Sequence, residues 1–206
     1  MKRFFKPAIH ILCLAPLFIL ISDWLNDELT ANPIQYLTLS TGKTALQLLT
    51  LSVSVTPLIF LTGIRDLNPA RRLLGLYAAL YASLHFSVFV GLDYFFDWEL
   101  IYETILEKPY VLVGFGAFII LSVMAITSTK GWKRRLKKKW KPLHRFVYLA
   151  AILVPLHYIW LVKSDIREPL IYGAVMVIFL LLRIPYVKNI ITKFKDRNNS
   201  AETAKA

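Results

Sequence analysis

Apolar residues in this 206-residue chain are gathered into long unbroken runs, not spaced at helical or strand period. Windows of about 20 apolar residues fall near 8–24, 44–62, 73–92, 109–128, 143–162 and 169–187. At about 1.5 Å per helical residue, each run matches the roughly 30 Å hydrocarbon core of a bilayer. The pattern predicts an all-α integral membrane protein, a six-helix bundle over residues 1–190. A polar tail at 191–206 follows and is expected to be disordered. MKRFFK ahead of AIHILCLAPLFILIS is arranged like a secretory leader, but no small-x-small cleavage site follows it, so an uncleaved first span is expected. No internal repeat is read along the chain.

Six spans put both termini on one side, and charge says which. With the termini cytoplasmic, only Lys43, Lys108, Lys163 and Arg167 among the 25 Lys and Arg residues fall in outer loops. Ten of the 13 acids fall there instead. This is a strong positive-inside asymmetry, and it implies the plasma (inner) membrane of a bacterium. All five tryptophans (Trp24, Trp98, Trp132, Trp140 and Trp160) lie near span ends, where interfacial rings belong. The net charge of +12 is thus accounted for by cytoplasmic loops, and no nucleic-acid surface is needed. The run KGWKRRLKKKWK serves first as an orientation signal on anionic lipid, with a phosphate or flavin tail as the other reading. The acidic outer face either solvates the protein or steers a partner with a basic patch.

Histidines inside apolar runs are expensive and therefore candidates for function. His85 lies 13 residues beyond Arg72 in span three, and His157 lies 13 residues beyond His144 in span five. Both sit roughly 20 Å from the cytoplasmic end. Two imidazoles at one depth on two helices can clamp a b-type haem, each supplying one axial ligand. A neutral imidazole pair hydrogen-bonding across helices is the plainer reading. The pair alone leaves zinc short of ligands, and Cys13, the only cysteine, excludes a disulfide, a thiolate zinc cluster and a C-x-x-C-H haem attachment. His144 stands at the cytoplasmic edge opposite Arg71 and Arg72. Those three residues suit either a second, mixed-ligand haem or a phosphate-bearing cofactor. On a straight helix His144 and His157 point about 140° apart, and Pro155 is expected to kink the span and re-aim His157. His10 has no partner at its depth and is expected to be structural. TGKT at 41–44 is no P-loop, because Leu37 stands where its first glycine belongs, and no G-x-G-x-x-G occurs, so no nicotinamide domain is fused here.

The stretches TGKTALQLLTLSVSVTPL, RRLLGLYAALYASLHF and LHRFVYLAAILVPLHYIWLVKSDIREPLIY resemble the MsrQ (YedZ) family, the haem-binding membrane subunits of bacterial MsrPQ methionine sulfoxide reductase systems. More distantly, the six spans are similar to the ferric reductase-like transmembrane domain, whose members usually carry two histidines on span three where this chain has His85 alone. The resemblance implies an electron-transfer subunit with no catalytic residue of its own. It would hold haem b, one or two, together with FMN at residues the motifs do not identify. Electrons would come from the quinone pool or a cytosolic flavin reductase and pass to the periplasmic molybdopterin subunit MsrP, which repairs oxidised methionines. By motif, His85, His144 and His157 match the family's three histidines. The alternative is an autonomous transmembrane ferric or quinone reductase acting on a small acceptor. A third class, a transporter or assembly factor with structural histidines, would need no cofactor.

Overall fold

The computed structural model describes residues 2–162 and 165–193, with side chains from residue 4 onward. Among them there is no strand, and the helices run α1 (Lys2–Leu25), α2 (Pro33–Thr62), α3 (Asn68–Val88), α4 (Trp98–Glu107), α5 (Pro109–Ile126), α6 (Lys130–Leu136), α7 (Trp140–His144), α8 (Val147–Leu161) and α9 (Arg167–Leu181). A last helix, α10, spans Pro185–Lys193, so residues 191–193 of the expected tail are helical and the rest lies outside the described residues. Four helices are long and apolar enough to cross a membrane. Two bent pairs, one bent by 46° before α8 and one by 77° after α9, would raise that number to six.

Helix α2 is the core of the bundle, and it begins about ten residues before the hydropathy window at 44–62. Asn32 caps it by accepting from the Gln35 amide, Pro33 occupies the first turn, and Gly63 ends it in the left-handed region at φ 76°. The polar letters that disguise its first turns are satisfied inside the helix. Thr38, Thr41, Thr44 and Thr50 each donate to the carbonyl four residues earlier, at 2.6–2.8 Å. Lys43, expected in an outer loop, therefore stands well inside α2.

The helices pack as two hairpins, α2 with α3 and α5 with α8, joined by small buried residues that let backbones approach: Ala45, Ala78, Ala79, Ala117, Ala150 and Ala151. Helix α1 lies outside them, its Ile11, Leu12, Phe18 and Ile19 turned outward. It is tied to α3 by the buried Tyr81 hydroxyl, which donates to the Cys13 carbonyl at 2.8 Å, and by His10, 2.7 Å from the Tyr77 hydroxyl. His10 thus joins helix to helix.

Span five departs from expectation. The helix runs without a break through Pro155, and the bend falls at Arg145–Phe146, between α7 and α8. There the Arg145 and Phe146 amides bond three residues back, to Pro142 and Leu143, and the tightened turn redirects the chain. The 140° separation of His144 and His157 on one straight helix does not apply.

Pro57, inside α2, shows how the bundle handles a lost amide. A proline cannot bond the carbonyl four residues before it, here Val53. In hydrocarbon that carbonyl needs another donor. Arg183, just past α9, supplies it: Nη2 is 2.6 Å from the Val53 oxygen, and the guanidinium lies 5.3 Å from the Tyr148 ring centre. Arg183→Leu should lower stability in detergent by about 1–3 kcal/mol. Pro57→Ala returns an amide to Val53, so the double variant should lose less than Arg183→Leu does alone. A double-mutant cycle on thermal melts measures this, and additive losses would refute the coupling.

Candidate functional site

His85, near the end of α3, and His157, near the end of α8, come together between the two hairpins. Their ring centres are 6.3 Å apart and their planes nearly perpendicular, at 80°. Each ring is aimed by a backbone carbonyl. His85 Nδ1 is 2.9 Å from the Thr38 oxygen of α2, and His157 Nδ1 is 2.7 Å from the Tyr110 oxygen of α5. A carbonyl only accepts, so both Nδ1 atoms carry the proton and both Nε2 atoms keep a free lone pair. That arrangement orients an imidazole and raises its basicity as a metal ligand. An ion bound to both Nε2 atoms at about 2.0 Å, with ring centres about 1.1 Å behind them, would hold the centres about 6.2 Å apart. The observed separation fits.

The rings reach those carbonyls because a glycine stands one turn on. A Cβ on Gly42 would lie 3.0 Å from His85 Nδ1, and one on Gly114 would lie 2.7 Å from both Nδ1 and Cε1 of His157. Both carbonyls already accept within their helices, and the imidazoles take the second lone pair.

The two halves of the site are copies. Thr38, Gly42 and His85 are followed 72 residues later by Tyr110, Gly114 and His157. At the same offset G-x-x-A-x-x-x-L recurs, from Gly42 to Leu49 and from Gly114 to Leu121. A-A-x-x-x-x-L-H also recurs, from Ala78 to His85 and from Ala150 to His157. The expectation of no repeat is wrong. Only a few positions are identical, and they are those that touch the other helix of the hairpin or the site, so the repeat is invisible to composition. It was available as a self-comparison at offset 72, which would also have singled out Gly42 and Gly114.

His144 is held apart from this pair. Its ring stacks on Trp140 at 4.1 Å, and Nε2 is 3.1 Å from Thr127 Oγ1. The Thr127 hydroxyl donates to the Val123 carbonyl, so Nε2–H of His144 donates to Thr127 and Nδ1 is the bare nitrogen. Trp140 Nε1 donates to the Thr127 carbonyl at 3.0 Å. Arg72, which the repeat places opposite His144, donates to the neighbouring Ser128 carbonyl at 3.0 Å, whereas Arg71 turns to Thr56 Oγ1 on α2 at 3.2 Å. The end of α5 therefore gathers His144 and Arg72, and Arg71 points elsewhere. Among the described residues no group of three His, Cys, Asp or Glu could cage a metal ion.

Fold and site together define a multi-pass helical membrane protein whose paired hairpins aim one imidazole each at a common point. The chain matches the family described as ferric reductase like transmembrane component over residues 38–155, from the carbonyl that holds His85 to the proline just before His157. The protein-methionine-sulfoxide reductase heme-binding subunit MsrQ of Xanthomonas campestris pv. campestris (strain 8004) is 43% identical over 185 residues, 87% of this chain and 85% of that protein. Its namesake from Herminiimonas arsenicoxydans is 41% identical over 182 residues, 87% of this chain and 84% of the relative. The chain belongs to this family, the MsrQ heme-binding subunits within the ferric reductase-like transmembrane proteins.

The glycine notches are unequal, and the difference is measurable. Alanine gains about 1 kcal/mol in helix propensity over glycine, against roughly 1–3 kcal/mol for overpacking. At Gly114 the intruding Cβ meets the ring closely enough for overpacking to win, so Gly114→Ala should destabilise and push His157 off the Tyr110 carbonyl. At Gly42 the two terms should nearly cancel. Imidazole ¹⁵N shifts report the Nδ1–H bonds, and equal perturbation by both variants would contradict the geometry.

Proposed function

We propose that this chain is a haem-binding electron-transfer subunit, with one b-type haem held between His85 and His157. The observation that carries the reading is the pair of carbonyl-anchored imidazoles with free Nε2 atoms at a separation suited to one iron. When bound, haem supplies a one-electron couple and its own equatorial ligands, so two protein donors suffice. The Thr38 and Tyr110 carbonyls hold the donors in one tautomer before the cofactor arrives, which lowers the cost of binding. The glycines let the rings stand upright between the hairpins, and the buried alanines around them exclude water from the site.

Six spans with both termini cytoplasmic follow if each bent pair crosses once, and the distribution of Lys and Arg supports that orientation in a bacterial inner membrane. The haem then occupies the outer half, nearer to a periplasmic acceptor, which the family implies is the molybdopterin subunit MsrP. Electrons enter from the cytoplasmic side, from quinol or a flavin reductase. FMN belongs near the inner cluster of His144 and Arg72. There Lys133, Lys137, Lys138, Trp140 and Lys141 line a hollow of about 490 Å³, with cations for a phosphate and an indole for a flavin ring.

A reduced-minus-oxidised absorbance spectrum of the purified chain tests the haem, and lack of b-type bands would refute it. His85→Ala and His157→Ala should each lower haem content about tenfold or more, whereas His144→Ala should retain it. Full haem in both of the first two variants would rule out the pairing. Trp140→Ala should reduce the FMN released on denaturation, measured by fluorescence, and leave the haem bands in place.

A further inference from the structure

Because the two halves of the imidazole site are copies, the positions where they differ bear on what lies between them. Lys43 follows Gly42, and its counterpart after Gly114 is Phe115. Phe86 follows His85, and its counterpart after His157 is Tyr158. The structure sorts these four residues onto two edges. On one, Phe86 stacks on Phe118 at 4.6 Å and lies 5.7 Å from Phe115. On the other, Lys43 Nζ is 2.6 Å from Glu168 Oε1, and the Tyr158 hydroxyl donates to Glu168 Oε2 at 3.2 Å. Gln47, one turn along α2, donates to the Tyr172 hydroxyl at 3.1 Å and extends the polar edge onto α9. A repeat interchanges the two edges, so they lie on opposite sides of the paired rings. One edge is hydrocarbon, and the other carries an ammonium at the depth of His85.

Haem has a matching asymmetry. One edge of the ring bears two propionate carboxylates, and the other bears only methyl and vinyl groups. We propose that Lys43 seats the propionates, and that Phe86, Phe115 and Phe118 receive the apolar edge. This rests on the haem reading above and adds the direction in which the ring is inserted. Lys43 has three N–H donors, of which Glu168 engages one, so a carboxylate can be accepted without breaking the ion pair. Charge-assisted bonds of this kind are the stronger ones, and the half-buried setting screens them less than open water would. Without the pair, the pocket's two edges would differ little in charge.

The test uses Lys43→Met, Lys43→Arg and Glu168→Gln in the full-length, haem-loaded protein. Two quantities are measured: the midpoint potential, by spectroelectrochemical titration, and the propionate bending band, by resonance Raman. Removing the cation should lower the potential, shift the propionate band and weaken haem retention about tenfold. Lys43→Arg should restore the potential and the band toward wild type. Glu168→Gln removes an anion beside the same carboxylates and should raise the potential. The opposite signs are the signature. An ion pair that only latches α2 to α9 is broken equally from either end, so it predicts changes of one sign or none, with the propionate band unmoved. That outcome, with haem still bound, would overturn the proposal and leave the histidine pairing intact. If Lys43→Met fails to accumulate, an unshifted band in both Lys43→Arg and Glu168→Gln would overturn it as well. Wild-type protein without b-type bands would instead overturn the haem reading itself.

Discussion

A carbonyl in a membrane-buried helix bonds the amide four residues on, yet it keeps a second lone pair that the surrounding hydrocarbon cannot use. In this protein that second lone pair is the fixed point of the site. The Thr38 and Tyr110 oxygens receive the imidazole protons of His85 and His157, and through them each hairpin dictates where its Nε2 points. A side-chain acceptor would add rotamers of its own, whereas a helix carbonyl has almost none. The requirement travels outward: a carbonyl can be reached sideways only over a residue without a side chain, hence Gly42 and Gly114. The helices can stand close enough only over small residues, hence the paired alanines of α3 and α8.

The same rule governs the places where a helix loses a bond. Pro57 leaves the Val53 carbonyl without its amide, and Arg183 arrives from α9 to replace it. The price is an arginine deep in the bundle, whose Nε has no partner. Its guanidinium finds compensation over the Tyr148 ring. Threonines along α2 do the opposite, folding their hydroxyls back on their own helix so that a polar sequence can enter an apolar setting. Backbone satisfaction explains both why α2 tolerates so many polar residues and why a cation closes the far end of the bundle.

Hydropathy locates the apolar runs and charge orders them, because both are bulk properties that survive without knowledge of contacts. Matched depth on spans three and five brings His85 and His157 forward for the same reason: 13 residues of helix are a length, and length is legible. Direction is not. The start of α2 is hidden because hydropathy scores a threonine as if its hydroxyl sought water. The bend before α8 is hidden because a proline draws attention to Pro155, while the turn at Arg145–Phe146 is made by ordinary residues bonding three back. Gly42 sits in TGKT, where a loop motif is the obvious comparison, and its work beneath a histidine 43 positions away depends on packing no local window contains. A self-comparison would have found the repeat, since the shared letters are few but fall on the contact positions.

The duplication has a consequence for what such a site can distinguish. Two identical hairpins paired about an axis would make an isologous dimer, and any ligand on that axis would meet the same residues whichever way it was turned. Fusing the two copies into one chain removes that constraint. Lys43 can stand against Phe115, and Tyr158 against Phe86, with the buried glycines, alanines and histidines unchanged. The contacts that need symmetry keep it, and handedness is written only into the residues beside them. A covalently joined pair can therefore offer a pseudo-symmetric ligand one orientation where a true dimer would offer two of equal energy.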